Sequence, residues 1–190
     1  MSKNYIEGKS YKSRDFSTSS LKTGEYENCK FTGCNFSVAD LSGINFVDCD
    51  FSGCDFSMAK VNDTVFREVR FNDCKVLGVQ FKDCNRFLFS VEFDTCMLNL
   101  SVFFKMNLKN VEFSNCTIHE ADFTESDLTG ISFDNCDLSD AIFENTNLER
   151  ADFTTAYNYI FDPDLNRIKK AKFAVPGLAG LLSKYDIIIE

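Results

Sequence analysis

Apolar residues recur at every fifth position through most of this chain. Phe, Tyr or an aliphatic residue occupies each fifth position from Tyr26 to Phe81, and the same spacing resumes from Phe93 to Phe153. A five-residue period keeps no constant face on an α-helix, and on a flat strand it alternates between the two sides. The pattern therefore predicts a solenoid that turns once per repeat, so that every central residue faces a common axis.

The position two residues before each central residue is mostly small and apolar. All nine Cys fall in this position or in its extension at Cys84. The spacing therefore predicts buried, inert thiols, because Cys behaves there as a small hydrophobe. A metal, redox or disulfide role is the alternative. The pair Cys29 and Cys34 has four intervening residues and no accompanying His, unlike a zinc site.

The repeats have a recognisable unit. Residues 34–38 (CNFSV) and 121–125 (ADFTE) both show a small residue, then Asp or Asn, then Phe, then two further residues. In this arrangement the chain resembles the pentapeptide repeat proteins over most of its length. The resemblance implies an all-β fold, a right-handed quadrilateral parallel β-helix with four repeats per coil. Residues 20 apart should then stack, with coils about 4.8 Å apart.

Three segments are predicted. Residues 1–23 form an N-terminal cap with irregular first repeats, because Lys9 and Arg14 occupy the small position and cannot be buried unpaired. Residues 24–155 form the β-helix in two blocks, with a break at 84–90 that holds two extra residues. The break is either a bulge at a corner or an interaction feature, since Arg86 and two extra Phe cannot all point inward. Residues 156–190 form a C-terminal cap and dimerisation segment.

The C-terminal cap is predicted to hold a short helix over 176–185 and a strand over 186–190. An unpaired terminal strand would be prone to aggregation, so we expect it to pair across a two-fold axis and form a homodimer. A cap that packs only within its own chain is the alternative. The candidate dimerisation residues are Leu178, Leu181, Leu182, Tyr185, Ile187, Ile188 and Ile189.

Charge is unevenly distributed along the chain, whose net charge is −9. Residues 110–149 contain no Lys or Arg and ten acids. Two coils span about 10 Å, so this density is comparable to that of duplex DNA, with about six charges in that length. The candidate acidic interaction face consists of Glu112, Glu120, Asp122, Glu125, Asp127, Asp134, Asp137, Asp140, Glu144 and Glu149. Such a face would attract basic proteins and repel nucleic acid. A purely solubilising role is the alternative.

Candidate chemistry is sparse. His119 is the single histidine and follows the central residue Ile118, so we expect it on the surface. The sequence contains no nucleophile arrangement built on it and no glycine-rich phosphate loop. We therefore predict no catalytic, cofactor-binding or metal residues, and a non-enzymatic protein. Residues 1–20 do not resemble a signal peptide, and no apolar run is long enough to span a membrane, which favours the cytoplasm.

Within the family, the chain resembles the Qnr-like and MfpA-like members. That resemblance implies a dimeric rod that mimics DNA, binds a type II topoisomerase (DNA gyrase or topoisomerase IV) and changes quinolone sensitivity. The chain lacks the long loop insertion of some Qnr-like members, and Arg and Lys dilute the acids of its first block. The alternative is an interaction scaffold with another protein partner.

Overall fold

The computed structural model of the protein describes residues 4–185 and 187–188. Short strands account for most of its regular structure. The strands are β1 (Asn4–Glu7), β2 (Ser10–Lys12), β3 (Gly24–Glu27), β4 (Lys30–Thr32), β5 (Asn45–Val47), β6 (Asp50–Ser52), β7 (Val65–Arg67), β8 (Val69–Asn72), β9 (Val91–Asp94), β10 (Val111–Ser114), β11 (Phe133–Asp134), β12 (Asp152–Phe153) and β13 (Lys172–Phe173). One α-helix, α1, spans Leu178–Leu182, and 3-10 turns lie at Phe81–Asp83, Pro163–Leu165, Val175–Gly177 and Ser183–Tyr185.

The strands pair in parallel along two sides of a solenoid. One sheet has the order β1-β3-β5-β7, and the other runs from β2 through β4, β6, β8, β9 and β10 to β11. Partners lie 20 residues apart in sequence, as Phe31 and Phe51 do. Isolated bridges such as Asn35 to Asp55 and Asp40 to Lys60 continue the pairing on the other two sides. The predicted right-handed quadrilateral β-helix is confirmed, with about eight turns.

Four faces follow from this pairing, and we number them by their central residues. Face 1 carries Phe113 and Phe133, and face 2 carries Ile118 and Leu138. Face 3 carries Phe123 and Phe143, and face 4 carries Leu128 and Leu148. All eight of these side chains are buried.

Aromatic stacking fills the core. The Phe31 and Phe51 rings lie 4.7 Å apart and nearly parallel, and the stack continues through Phe71 at 5.0 Å from Phe51. Rings on adjacent faces meet edge to face, as Phe103 and Phe113 do at 88°. Both geometries are favourable for aromatic rings. The abundance of Phe is therefore a product of the repeat.

Side-chain turns explain the Asp or Asn before each central residue. Asp122 Oδ1 accepts a hydrogen bond from the Thr124 backbone N–H at 2.8 Å, and Asp137 does the same for Ser139 at 3.2 Å. Such turns help the chain to bend at each corner. The last residue of most repeats has a positive φ, which turns the chain on to the next face.

The small position holds hydrogen-bond donors as well as small side chains. Ser126 Oγ donates to the Phe103 carbonyl at 2.6 Å, and Thr64 Oγ1 donates to the Leu41 carbonyl at 2.8 Å. The Cys49 thiol donates equivalently to the Tyr26 carbonyl at 3.2 Å. Cys, Ser and Thr therefore share one role there, which is to satisfy a buried carbonyl of the preceding coil.

The break at 84–90 is a corner insertion. The pairing distance grows from 20 to 22 residues, because Val69 pairs with Val91. Phe89 turns inward and packs edge to face on Phe66, whereas Phe87 is exposed. The Arg86 guanidinium lies on the surface and donates to backbone carbonyls. The insertion thus preserves the stacking of the coils on both sides.

Regular pairing begins earlier and ends later than the segment 24–155. β1 and β2 already pair with β3 and β4, and Lys9 and Arg14 are exposed there. At the other end β13 pairs with β12, and the Phe173 ring stacks on Phe153 at 5.2 Å. The last coil escapes the five-residue pattern because residues 156–165 do not keep that spacing. The strand predicted over 186–190 lies mostly outside the described residues, and Ile187 and Ile188 are not in a strand.

Removing the hydroxyl of Ser126 should destabilise the protein. We expect Ser126→Ala to lower the free energy of unfolding by about 1–2 kcal/mol, because the buried Phe103 carbonyl loses its donor. Ser126→Cys should cost less, since Cys116 makes the same contact with Phe93 one face earlier. Denaturant unfolding with matched slopes measures both changes. Equal losses for the Ala and Cys variants would show that the donor is unimportant.

Candidate protein-binding surface

The single histidine sits in a polar contact on face 2. His119 Nε2 lies 3.0 Å from Asp137 Oδ2 of the next coil, and the His119 side chain is half-buried. Burial opposes ionisation of Asp137, but hydrogen bonds from Ser139, Asn158 and His119 prevail and lower its pKa to about 2. This arrangement resembles a surface contact between coils, since the carboxylate is held mainly by local turn donors.

Two further searches of the described residues bear on chemistry. Within residues 4–185 and 187–188, no group of three or more His, Cys, Asp or Glu side chains is placed to hold a metal ion. In the same residues, every helix is too short or too polar to cross a membrane.

The ten candidate acids do not form one face. Glu112 and Asp134 lie on face 1, and Asp127 and Glu149 lie on face 4. Face 2 carries Glu120, Asp137 and Asp140, and face 3 carries Asp122, Glu125 and Glu144. The prediction of a single acidic face is therefore wrong. Forty consecutive residues pass twice around a four-sided coil, so their acids are distributed over every side.

Cations from neighbouring coils neutralise part of this charge. Lys109 pairs with Asp127 at 2.8 Å, and Arg167 pairs with Glu149 at 2.7 Å, so both acids of face 4 are compensated. On face 3, Lys105 pairs with Glu125 at 3.2 Å. These partners are 18 to 20 residues apart in sequence, one coil away in space. The segment free of Lys and Arg is therefore not free of positive charge in three dimensions.

Uncompensated acids remain at the edge between faces 2 and 3. We call this group the acidic corner, and it consists of Glu120, Asp122, Asp140 and Glu144. In the part of the chain that the structure describes, these four form no ion pair. Glu120, Asp140 and Glu144 are exposed and Asp122 is half-buried. Glu112 and Asp134 are also without ion pairs, but they lie on face 1.

Apolar side chains collect at the C-terminal end. The helix α1 and its flanking turns pack against Tyr159 through Gly177 and Gly180, where a side chain would collide with Tyr159. Leu181 is buried and Leu182 is half-buried in this cap, whereas Leu178, Tyr185, Ile187 and Ile188 are exposed. Exposed Val175 extends the same end, and Ile189 lies outside the described residues. The candidate dimerisation residues thus divide into an inner pair and an outer group.

Comparison with known proteins identifies the family. A family model described as the pentapeptide repeat region matches residues 19–85, 44–123 and 79–153, which together cover more than half of the chain. The chain belongs to the pentapeptide repeat family. A search of curated proteins finds no match.

Several solved structures are similar to this chain. A trypsin-treated variant of QnrB1, described as a plasmid-mediated fluoroquinolone resistance protein, is 21% identical, with 98% of this chain and 97% of that chain covered and a TM-score of 0.46. HetL, a pentapeptide repeat protein involved in heterocyst differentiation regulation in a Nostoc cyanobacterium, is 15% identical, with 92% and 86% covered and a TM-score of 0.42. A thylakoid-lumen pentapeptide repeat protein of Arabidopsis thaliana is 22% identical, with 66% and 68% covered and a TM-score of 0.20. At these identities the likeness concerns the fold alone.

The cysteines should be unreactive in the folded protein. All nine lie in the described residues as buried free thiols, and burial raises the pKa of Cys49 and Cys84 to about 12. The thiolate is the reactive form, so we expect negligible labelling by a thiol reagent in buffer and nine equivalents in denaturant. Rapid labelling of even one thiol in the native protein would contradict this and reopen a redox role.

Proposed function

We propose that this protein is a non-enzymatic rod that binds a basic protein surface through its acidic corner. The uncompensated charge of Glu120, Asp122, Asp140 and Glu144 is the observation that carries the proposal. Charges held on a stiff frame recruit an oppositely charged partner by electrostatic steering, and they also favour one orientation of that partner. A rod of stacked coils supplies such a frame, because each coil is hydrogen-bonded to the next.

The partner we propose is a type II topoisomerase, either DNA gyrase or topoisomerase IV, with altered quinolone sensitivity as the consequence. The resemblance to Qnr-like members implies this partner, whose DNA-binding surface is basic. The distribution of the ten acids narrows the idea of DNA mimicry from the whole rod to one corner. Such a partner also implies a cytoplasmic location for this protein.

A supercoiling assay tests the proposal directly. We expect micromolar protein to change DNA gyrase activity, or to restore it in the presence of a fluoroquinolone. The variant Glu120→Gln, Asp122→Asn, Asp140→Asn, Glu144→Gln should lose about tenfold or more of this effect, and rising salt should weaken the wild type similarly.

The matched control removes four acids from other corners. Asp48, Asp63, Glu68 and Asp73 are exposed and lie in the first block. Neutralising them with Asn and Gln removes the same charge and should leave the effect unchanged. If wild-type protein has no effect on either topoisomerase, the partner is wrong and a scaffold for another protein is the better account. If both variants behave alike, net charge rather than the corner is responsible.

We also propose that two copies associate through their C-terminal ends. The apolar residues Val175, Leu178, Tyr185, Ile187 and Ile188 are exposed together there, and Ile188 is 89% exposed. Apolar groups left in water at one end favour burial against a second copy, and a two-fold arrangement satisfies both copies equally.

Truncation and charge insertion test this association. We expect wild-type protein to sediment as a dimer, and a chain ending at Tyr185 or carrying Val175→Asp with Leu178→Asp to sediment as a monomer. Leu88→Asp, at an exposed apolar residue of the corner insertion, serves as the control and should leave the dimer intact. A wild-type monomer, or a dimer that survives both changes, would refute the proposal and favour a cap that serves its own chain only.

A further inference from the structure

One corner of the rod changes from apolar to acidic along its length. We call it the 38–140 column, and it consists of Val38, Met58, Gly78, Leu100, Glu120 and Asp140. Each of the first five donates its backbone N–H to the coil above, at distances between 2.8 and 3.0 Å. The column is therefore a continuous row at the edge between faces 2 and 3. Its last two residues belong to the acidic corner.

The apolar residues of this column occupy unfavourable backbone positions. Val38, Met58 and Leu100 have φ of 53°, 58° and 62°, in the left-handed region. That region favours Gly, Asn and Asp, and it is especially poor for a β-branched residue such as Val. Among the described residues with positive φ, the only other apolar side chain is Leu88, in the corner insertion. Equivalent positions on the other corners hold glycine or polar and charged residues.

These side chains also face water. Val38, Met58 and Leu100 are 66%, 62% and 54% exposed, so burial does not compensate for their backbone conformation. The Met58 thioether lies over Gly78, where a β-carbon would collide with it, and so closes the gap in the row. Half-buried Leu77 and Val102 and exposed Met97 extend the apolar surface to either side. Strained, exposed apolar residues in one row indicate a selected surface rather than a requirement of the fold.

We propose that the 38–140 column docks an amphipathic helix of the partner protein whose apolar face continues into a basic end. Charge complementarity chooses this occupant, because the apolar row runs directly into Glu120 and Asp140. The dimensions also agree, since coils about 4.8 Å apart nearly match the 5.4 Å pitch of a helix. One helical turn can then contact one coil, with anchors spaced three or four residues apart. This inference deepens the proposed function, because it names the part of the partner that binds the corner.

The geometry also sets the length of the docked helix. Five coil steps separate Val38 from Asp140, or about 24 Å, which corresponds to a helix of about 16 residues. The apolar part covers about three steps and the basic part about two. Lys or Arg in the last turns would lie over the acidic corner, and Leu or Ile in the earlier turns would lie over Val38, Met58 and Leu100.

A designed peptide serves as the probe. It is a fluorescent helix of about 18 residues, with Leu on one face of its first turns and Lys and Arg in its last turns. We expect wild-type protein to bind it at least about tenfold more tightly than a version with Glu in place of Lys and Arg. A version with Ser in place of Leu should be weakened about as much.

Three protein variants locate the binding site. Val38→Asn, Met58→Asn and Leu100→Asn together should lower the peptide affinity about tenfold. Their melting temperature should be unchanged or higher, because Asn tolerates the left-handed backbone. Glu120→Gln with Asp140→Asn should weaken binding and reduce its salt dependence. Leu88→Asn makes the same change at the same backbone conformation on another face and should have no effect.

Each outcome decides the inference. Failure of the wild type to bind the peptide, or equal binding by the triple Asn variant, would overturn it. Loss of self-association in the triple variant, without any peptide binding by the wild type, would assign the column to a second copy and also overturn it. Gyrase assays on the same proteins separate the two proposals. Peptide binding at the column without an effect on gyrase would leave this inference standing and the topoisomerase proposal refuted. A gyrase effect that the triple variant retains would do the reverse.

Discussion

Parallel hydrogen bonds between successive coils hold this protein together and set everything else in it. A residue in one coil bonds to a residue about 20 positions later, as the Phe36 N–H does with the Asp55 carbonyl at 2.6 Å. This pairing stacks like residues on like, so the rings of Phe36 and Phe56 lie 4.6 Å apart. A slip of one residue would turn central side chains outward and expose the core. The uniform spacing of the repeats therefore protects the register of the whole rod.

The same constraint makes outward positions free to vary. Two positions in each repeat are committed to the core, one central and one small, while the others meet water or turn the chain. The small position has a second task, because its Ser, Thr and Cys side chains satisfy carbonyls of the preceding coil. Specificity must therefore lie in the outward residues, and there the 38–140 column departs from the chemistry that a left-handed corner favours. A surface of this kind costs about 1–2 kcal/mol for each non-glycine residue, which the stacked core must offset.

Much of the fold could be predicted because its period is short and exact in sequence. The alternation of Phe93, Leu98, Phe103 and Leu108 is a local pattern that permits one geometry, and each of these side chains is buried. The last coil could not be predicted, because Tyr159 and Phe161 enter the core off the five-residue spacing. At the break, the spacing revealed two extra residues, but only the packing shows that Phe89 turns inward while Phe87 does not.

The sequence by itself determined the coil, the buried cysteines and the high density of acids in residues 110–149, because each depends on residue type at a fixed spacing. Tertiary structure decided where the charge is displayed. A four-sided coil sends consecutive repeats to different faces, so the ten acids separate and cations from neighbouring coils compensate several of them. The same stacking brings together residues 20 or more positions apart, and it thereby creates both the acidic corner and the 38–140 column. Linear sequence does not display such rows, because their members become neighbours only when the coils pair.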